Sequence, residues 1–242
     1  MHVDHGEILN ALLGELMLLY SRTRPVMTRE CPGCGYVGNF GWYGHPPRAD
    51  CRCPKCGSLE RHRLICMALN RQFNTGGRLT LPSPVLHFAP ERLLQAFIKP
   101  NVDEYIGADI SGKADRVLDL ENMDLPDASV GTVLAIHVLE HVDDAAASAE
   151  ILRVLRPGGL FLAMVPIVEG WETTYEDADL PESLREAHYG QHDHVRFYGR
   201  DFRERITRCG LELIEEITAE GPEVVRYGLM RGEKVFVFRR PA

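Results

Sequence analysis

Two pairs of cysteines open the chemistry of this chain. Cys31-Pro-Gly-Cys34-Gly and Cys53-Pro-Lys-Cys56-Gly repeat one pattern, with two residues between the thiols and a glycine after the second. That spacing lets both thiolates of a pair reach one ion. The glycine permits the tight turn that aims backbone N–H groups at sulfur. Four thiolates from Cys31, Cys34, Cys53 and Cys56 suit Zn²⁺ in a closed structural site, where the ion substitutes for a core in a segment too small to have one. Cys51 is a spare ligand that could displace Cys53, although Cys53 matches the repeat better. Cys66 and Cys209 fall in helical patterns and are expected as buried apolar residues.

A second set of residues suits nucleotide-like chemistry. Phe88-Ala89-Pro90-Glu91 reads as a strand-to-helix turn, and Asp109, with Ile110 after it, ends a strand about twenty residues on. A carboxylate so placed accepts from the two hydroxyls of a ribose.

A third set is polar and aromatic. Trp171, Glu172, Tyr175 and Glu176 precede His188-Tyr-Gly-Gln-His192-Asp-His194-Val-Arg196-Phe-Tyr198. Such a stretch after the last parallel strand is placed to roof a substrate pocket, with Trp171, Tyr175, His188, Arg196 and Tyr198 as contacts. His192 or His194 would act as general base, since imidazole titrates near working pH. The other reading is a loop whose histidines bond one another or the backbone. A second ion on His188, His192 and His194 is a weaker reading of the same residues. Arg196 could hold an acidic acceptor with two parallel hydrogen bonds. His141, just after a strand, either contacts substrate or caps the helix that follows.

The elements that must position these residues follow from periodicity. An opening helix is expected over 5–20. Cys-, Gly- and Pro-rich turns follow over 28–57, then a helix capped by Ser58 and a linker through NTGGRLTLPSP. Short apolar runs then alternate with helical stretches, the mark of a parallel sheet with crossover helices. Strands are predicted at Val85–Ala89, Tyr105–Asp109, Arg116–Asp119, Val130–His137, Leu160–Val165, and near 211–218 and 234–239. Helices are predicted at Glu91–Ile98, Asp143–Leu155 and 201–209. This divides the chain into residues 1–75, carrying the opening helix and zinc ribbon, and residues 84–242, an α/β domain with a functional insertion at about 166–198.

Composition bounds the partners. The chain has 242 residues, 45% of them apolar, and a formal net charge of −8. That balance disfavours a nucleic-acid partner, whose affinity rests on basic surface. The exception is local: Arg22 to Arg63 holds eight Lys/Arg against three Asp/Glu. No run is long and apolar enough to span a bilayer. The start MHVDHGEILN lacks the basic residues of a secretory signal, and unpaired metal-type cysteines suit a reducing compartment, so a cytoplasmic location is expected.

One ordered block is more specific than any single residue. Asp119, then Asp127-Ala-Ser129-Val130, an apolar strand, Val138-Leu-Glu140-His141-Val142, a helix, and Arg153-Val-Leu-Arg-Pro-Gly-Gly159 follow in series. Over about residues 84–218 the chain resembles the class I S-adenosylmethionine-dependent methyltransferase family, methyltransferase type 11-like, and especially its small-molecule branch. HFAPE also resembles the variant first turn of zinc-ribbon members. The resemblance implies a Rossmann-like seven-stranded sheet, S-adenosyl-L-methionine at the carboxyl ends of the central strands, and methyl transfer. It implies that Asp119 binds the adenine amino group, that Leu120 packs on the ring and that His137 lies beside the cofactor. The implied acceptor is oxygen or nitrogen of a small molecule or glycan. RNA or protein methylation, with the basic ribbon docking the substrate, and a non-catalytic binding protein on the same fold are the alternatives. Two positions depart from the family text: the first turn lacks its usual glycines, and Gly131 stands where Asp is common.

Overall fold

The computed structural model describes residues 9, 12–16, 19, 27–44 and 47–242. Residues 12–16 are helical, and the rest of the predicted opening helix lies largely outside the described residues. The chain forms two compact units. One comprises the described residues up to Arg71 together with Thr218–Glu233, and the other comprises Gln72–Ile217 with Lys234–Ala242.

The larger unit is built on six strands, the central ones apolar on both faces, as strands covered on both sides must be. They are β1 (Val85–Phe88), β2 (Tyr105–Ala108), β3 (Val130–Ile136), β4 (Leu155–Met164), β5 (Glu212–Thr218) and β6 (Lys234–Arg239). Every residue of β1 and β3 is buried. The spatial order is β5-β6-β4-β3-β1-β2. β1 is parallel to β2 and β3, and β3 to β4, while β6 runs antiparallel to β4. The larger unit therefore has an α/β fold with a mostly parallel central sheet. The sheet has six strands, not the expected seven: Arg116–Asp119 forms no strand, and only a bridge from Ala108 to Arg116 marks its place. Arg116 and Val117 are exposed there, so little apolar surface drives a longer pairing.

The crossover helices are α2 (Arg92–Ile98) and α3 (Asp144–Val154), with α5 (Phe202–Thr207) before β5. α3 starts where its sequence says it should: the Asp143 carboxylate accepts from Ala145 and Ala146 N–H at 2.9 and 3.2 Å. Ile151, Val154, Phe161, Phe202, Phe236 and Phe238 fill the core against this face of the sheet. Gly131 also has its reason, since a Cβ there would lie 2.5 Å from the backbone of Pro82. The stretch 166–198 contains a strand pair, Tyr175–Glu176 with Arg196–Phe197, and helix α4 (Glu182–Tyr189).

In the smaller unit, Arg29–Glu30 pairs with Val37–Gly38, and Gly41–Tyr43 with Arg48–Arg52. Helix α1 (Glu60–Phe73) follows. The expected linker after it forms a small hairpin, Asn74–Thr75 with Arg78–Leu79. Helix α6 (Gly221–Tyr227) is spliced in between β5 and β6 and belongs to the smaller unit, although the sequence places it within the α/β domain. No helix among the described residues is long and apolar enough to cross a membrane.

Candidate functional site

The strand order places a switch point at β1, because the chain proceeds from β1 to β2 on one side and returns to β3 on the other. Ligands of open α/β sheets bind outside the carboxyl ends of the strands at such a point. Two non-glycine residues there adopt left-handed backbone conformations: Ala89 after β1, at φ 45°, and His137 after β3, at φ 55°. Strained positions of this kind persist where the surroundings fix them, and they concentrate at functional sites. Ala89 N–H donates to Ala108 O at 2.8 Å, and His137 N–H to Met164 O at 2.8 Å, so both turns are pinned to the next strand.

The residues expected to meet a cofactor lie at or beyond the carboxyl ends of β1, β2 and β3. Phe88 is buried and closes β1, while Ala89 is exposed with Pro90 half-buried beside it. Glu91 is the first residue outside α2. Asp109 follows β2, with one carboxylate oxygen accepting from Ser111 N–H at 2.6 Å and from the Ser111 hydroxyl. Ile110 is 71% exposed, unusual for so apolar a side chain. Asp119 is exposed and accepts from Glu121 N–H at 2.9 Å, and Leu120 is buried. His137 Nδ1 lies 3.1 Å from Glu140 Oε1, and its Nε2 is buried without a partner.

His87, inside β1, is buried and bonded to the Tyr105 hydroxyl at 2.9 Å. Burial pushes its imidazole down to about 3, so it is neutral at pH 7.

The third set of residues separates into three groups. Trp171, Tyr175 and His188 form an exposed aromatic rim. Tyr175 stacks on His188 at 6.1 Å and hydroxyl-bonds its Nδ1 at 2.6 Å, and Trp171 stands edge-on to Tyr175 and Phe197. His141 and His194 meet ring to ring at 4.7 Å, whereas His192 stands exposed apart. Burial pushes the His194 imidazole below its ordinary value.

Arg196 and Tyr198, expected against the acceptor, are buried with their polar atoms engaged inside the protein. Arg196 donates to Glu176 at 2.8 Å and to Leu139 O at 3.1 Å, and the Tyr198 hydroxyl donates to Leu139 O at 3.0 Å. In this arrangement they pin the segment rather than face outward. Sequence reading missed what they are pinned to. Asp144 is 4% exposed and receives Arg205 in bidentate fashion at 2.7 and 2.9 Å, with the Tyr198 hydroxyl at 3.2 Å. Burial alone would raise its carboxyl. The Arg205 hydrogen bonds and the charges of Arg196 and Arg205 outweigh that and hold it below the usual range. The signal was an acid two residues past Val142 facing a run of arginines at 196–205, which no spacing rule pairs.

In the smaller unit both cysteine knuckles close alike. Gly35 N–H donates to Cys31 O at 2.8 Å and Gly57 N–H to Cys53 O at 2.9 Å, with both glycines left-handed. The four sulfurs of Cys31, Cys34, Cys53 and Cys56 lie within 4.8 Å of one another, and the Cys31–Cys56 and Cys34–Cys53 pairs are 3.6 and 3.7 Å apart. A tetrahedral site with Zn–S of about 2.3 Å needs sulfurs about 3.8 Å apart. The cluster is therefore compatible with a zinc ribbon. Cys51 is excluded from it, its thiol turned to Arg48 O at 3.2 Å. Ser58, read as a helix cap, sets its hydroxyl 3.2 Å from Cys31 Sγ. Arg63 is fully buried and donates to the carbonyls of Cys51, Ser58 and Tyr227 at 2.8, 2.7 and 2.6 Å.

Known proteins agree with this architecture. Residues 90–163 match the family described as a methyltransferase domain. A protein of Mycolicibacterium smegmatis named "Probable S-adenosylmethionine-dependent methyltransferase" is 35% identical over 111 residues, 40% of this chain and 43% of that one. The match thus spans less than half of that relative's length. The 1,6-didemethyltoxoflavin-N1-methyltransferase of Burkholderia thailandensis, solved with bound 1,6-didemethyltoxoflavin and S-adenosylhomocysteine, superimposes with a TM-score of 0.52 at 15% identity, over 75% of this chain and 79% of that one. The cyclase SpnF superimposes with a TM-score of 0.53 at 14% identity, over 97% of this chain and 96% of its own. At these identities the likeness is one of fold.

Proposed function

We propose that this protein is an S-adenosylmethionine-dependent methyltransferase that methylates oxygen or nitrogen of a small molecule or glycan, with a structural zinc ion in its ribbon. The observation that carries the reading is the set of residues at the switch point of the sheet. There Ala89 and His137 are held left-handed, Ile110 is left exposed and a buried imidazole nitrogen of His137 lacks a partner. These features fit a ligand with an apolar ring and hydrogen-bond donors. The glycine-free first turn is accommodated because the left-handed φ that glycine would supply is met by Ala89.

S-adenosylmethionine supplies a methyl group on a sulfonium. The protein's task is to hold that group and an acceptor in line and to exclude water. The second carboxylate oxygen of Asp109 would accept from ribose hydroxyls. Asp119 would accept from the adenine amino group, with Ile110 and Leu120 against the ring. His137 Nε2 would accept from a donor on the cofactor. Phe88, Ala89, Pro90 and Glu91 would form the near wall. Trp171, Tyr175 and His188 offer flat faces suited to a ring or sugar acceptor. A hydroxyl acceptor must lose a proton, and His141, His192 or His194 would be the imidazole to take it.

Calorimetry with S-adenosylmethionine and S-adenosylhomocysteine tests the first part. Saturable binding that Asp109→Ala weakens is expected. No binding at millimolar ligand would leave the fold without the activity. An acceptor screen with labelled methyl groups then tests the second. Transfer to RNA or protein, and to no small molecule or glycan, would replace this acceptor class with the other.

A further inference from the structure

We infer that Glu140, His141 and His194 form a second metal site, for a divalent transition cation of the Mn²⁺, Fe²⁺, Co²⁺ or Zn²⁺ class. One ligand atom from each of the three lies within 4.8 Å of the other two. The hydrogen bonds decide what those atoms offer. His194 Nδ1 is 3.2 Å from Tyr189 O, and His141 Nδ1 is 3.2 Å from Asp193 O. A carbonyl oxygen only accepts, so both Nδ1 atoms carry the hydrogen. Both Nε2 atoms are left with a lone pair. The third member is Glu140, 1% exposed, whose Oε1 is held by His137 and whose Oε2 is buried with no partner.

One ligand atom from each residue thus meets the others, and the buried unpaired carboxylate oxygen of Glu140 is costly to leave so. A cation satisfies all three at once. Two imidazoles and one carboxylate are a donor set that first-row divalent ions take. The surroundings are those of ligands in waiting. Each imidazole is fixed by a backbone carbonyl, the Asp193 carboxylate stands 3.3 Å from His141 Nδ1, and Glu140 is oriented by His137. Val195 N–H donates to Glu140 O at 2.9 Å, which ties the two contributing segments together. Glu140 and Asp193 supply two negative charges against the two of the ion.

His188 and His192, the partners expected for His194 from sequence, are exposed elsewhere in the segment. The site lies just past the carboxyl end of β3, one short turn beyond His137. Its use in catalysis, as the ion that seats an acceptor oxygen, rests on the methyl-transfer reading. Its existence does not.

The test is titration of the full chain, its cysteine cluster already loaded with Zn²⁺, with Co²⁺ followed by visible absorption. One further equivalent should bind, with ligand-field bands and no thiolate charge-transfer bands. Glu140→Gln and His194→Ala should each lose that equivalent. If His194→Ala unfolds, as judged by circular dichroism, His141→Ala at a half-exposed position takes its place. No saturable Co²⁺ uptake at millimolar concentration overturns the site, as does uptake retained in Glu140→Gln and His141→Ala. Thiolate bands would place the ion on the cysteines instead and overturn it equally. S-adenosylmethionine calorimetry on the same sample reports the methyl-transfer reading separately.

Discussion

Replacing Asp144 with Asn should loosen the candidate acceptor segment without touching the cofactor crevice. The carboxylate accepts two hydrogen bonds from Arg205 and one from the Tyr198 hydroxyl, and Arg196 stands 3.9 Å away. Asn keeps one acceptor oxygen, so the substitution removes one charge-assisted bond, worth about 1.5–3 kcal/mol, and the countercharge of two guanidinium groups. Glu176 offsets part of this, since it also binds Arg205 and Arg196 and is itself 37% exposed. The net loss should be about 3 kcal/mol, at the low end for breaking a buried pair. Urea unfolding at pH 7 measures it. The pH dependence supplies a second check. The Asp144 carboxyl is held below its unfolded value, near 3.9. Its stabilisation is therefore present above that value and is lost as pH falls through the folded one. The difference between wild type and Asp144→Asn should be constant from pH 7 to about 5 and shrink below about 4. A loss under about 1 kcal/mol, within the range of exposed ion pairs, would refute the reasoning. So would a difference that stays constant down to pH 2.

Metal analysis of purified protein should find about one Zn²⁺ held by the four cysteines. Cys31→Ser should lose it and Cys51→Ser should not. Asp109→Ala should weaken S-adenosylmethionine binding by ~1–3 kcal/mol in calorimetry, because ribose hydroxyls lose their acceptor. Unchanged affinity would place the ribose elsewhere. Arg63→Met should speed Zn²⁺ loss to a chelator, since four carbonyls lose their donor, and Arg63→Lys should not restore it. Tyr175→Ala, at an exposed position, should lower turnover on the true acceptor with little change in melting temperature or cofactor affinity.

Much of this was legible in the residues because local rules govern it. The cysteine knuckles depend on spacing and two glycines, and their four sulfurs come together in the structure. β1, β3 and α3 have unmixed patterns, and each ends within a residue or two of where its sequence changes. Arg116–Asp119 looked like a strand because Val117 and Leu118 are apolar. The failure is one of partners: Val117 is exposed, so a single bridge is all that forms. Arg196 and Tyr198 read as acceptor contacts because polar aromatic loops often bind ligands. Their actual partners, Leu139 and Asp144, lie more than fifty residues away in sequence. Glu140 was read only as part of a motif. Nothing local revealed that it would be buried with an oxygen to spare. Pairings of this kind depend on how the sheet returns the chain to itself, and no periodicity carries that.

The interleaving of the smaller unit bears on the order in which it can be made. Its cysteines and Arg63 are synthesised early, but the carbonyl of Tyr227 that Arg63 reaches is not. At ordinary ribosomal speeds of roughly 5–20 residues per second, the stretch between them takes on the order of ten to thirty seconds to emerge. During that interval the Arg63 guanidinium waits with two of its acceptors unmade. Closure of the two knuckles needs nothing downstream of Ser58, so an ion held there would organise the ribbon while the rest of its unit is still being translated. Completion of the ribbon unit is thereby coupled to completion of the sheet, because the closing helix α6 arrives only between the last two strands.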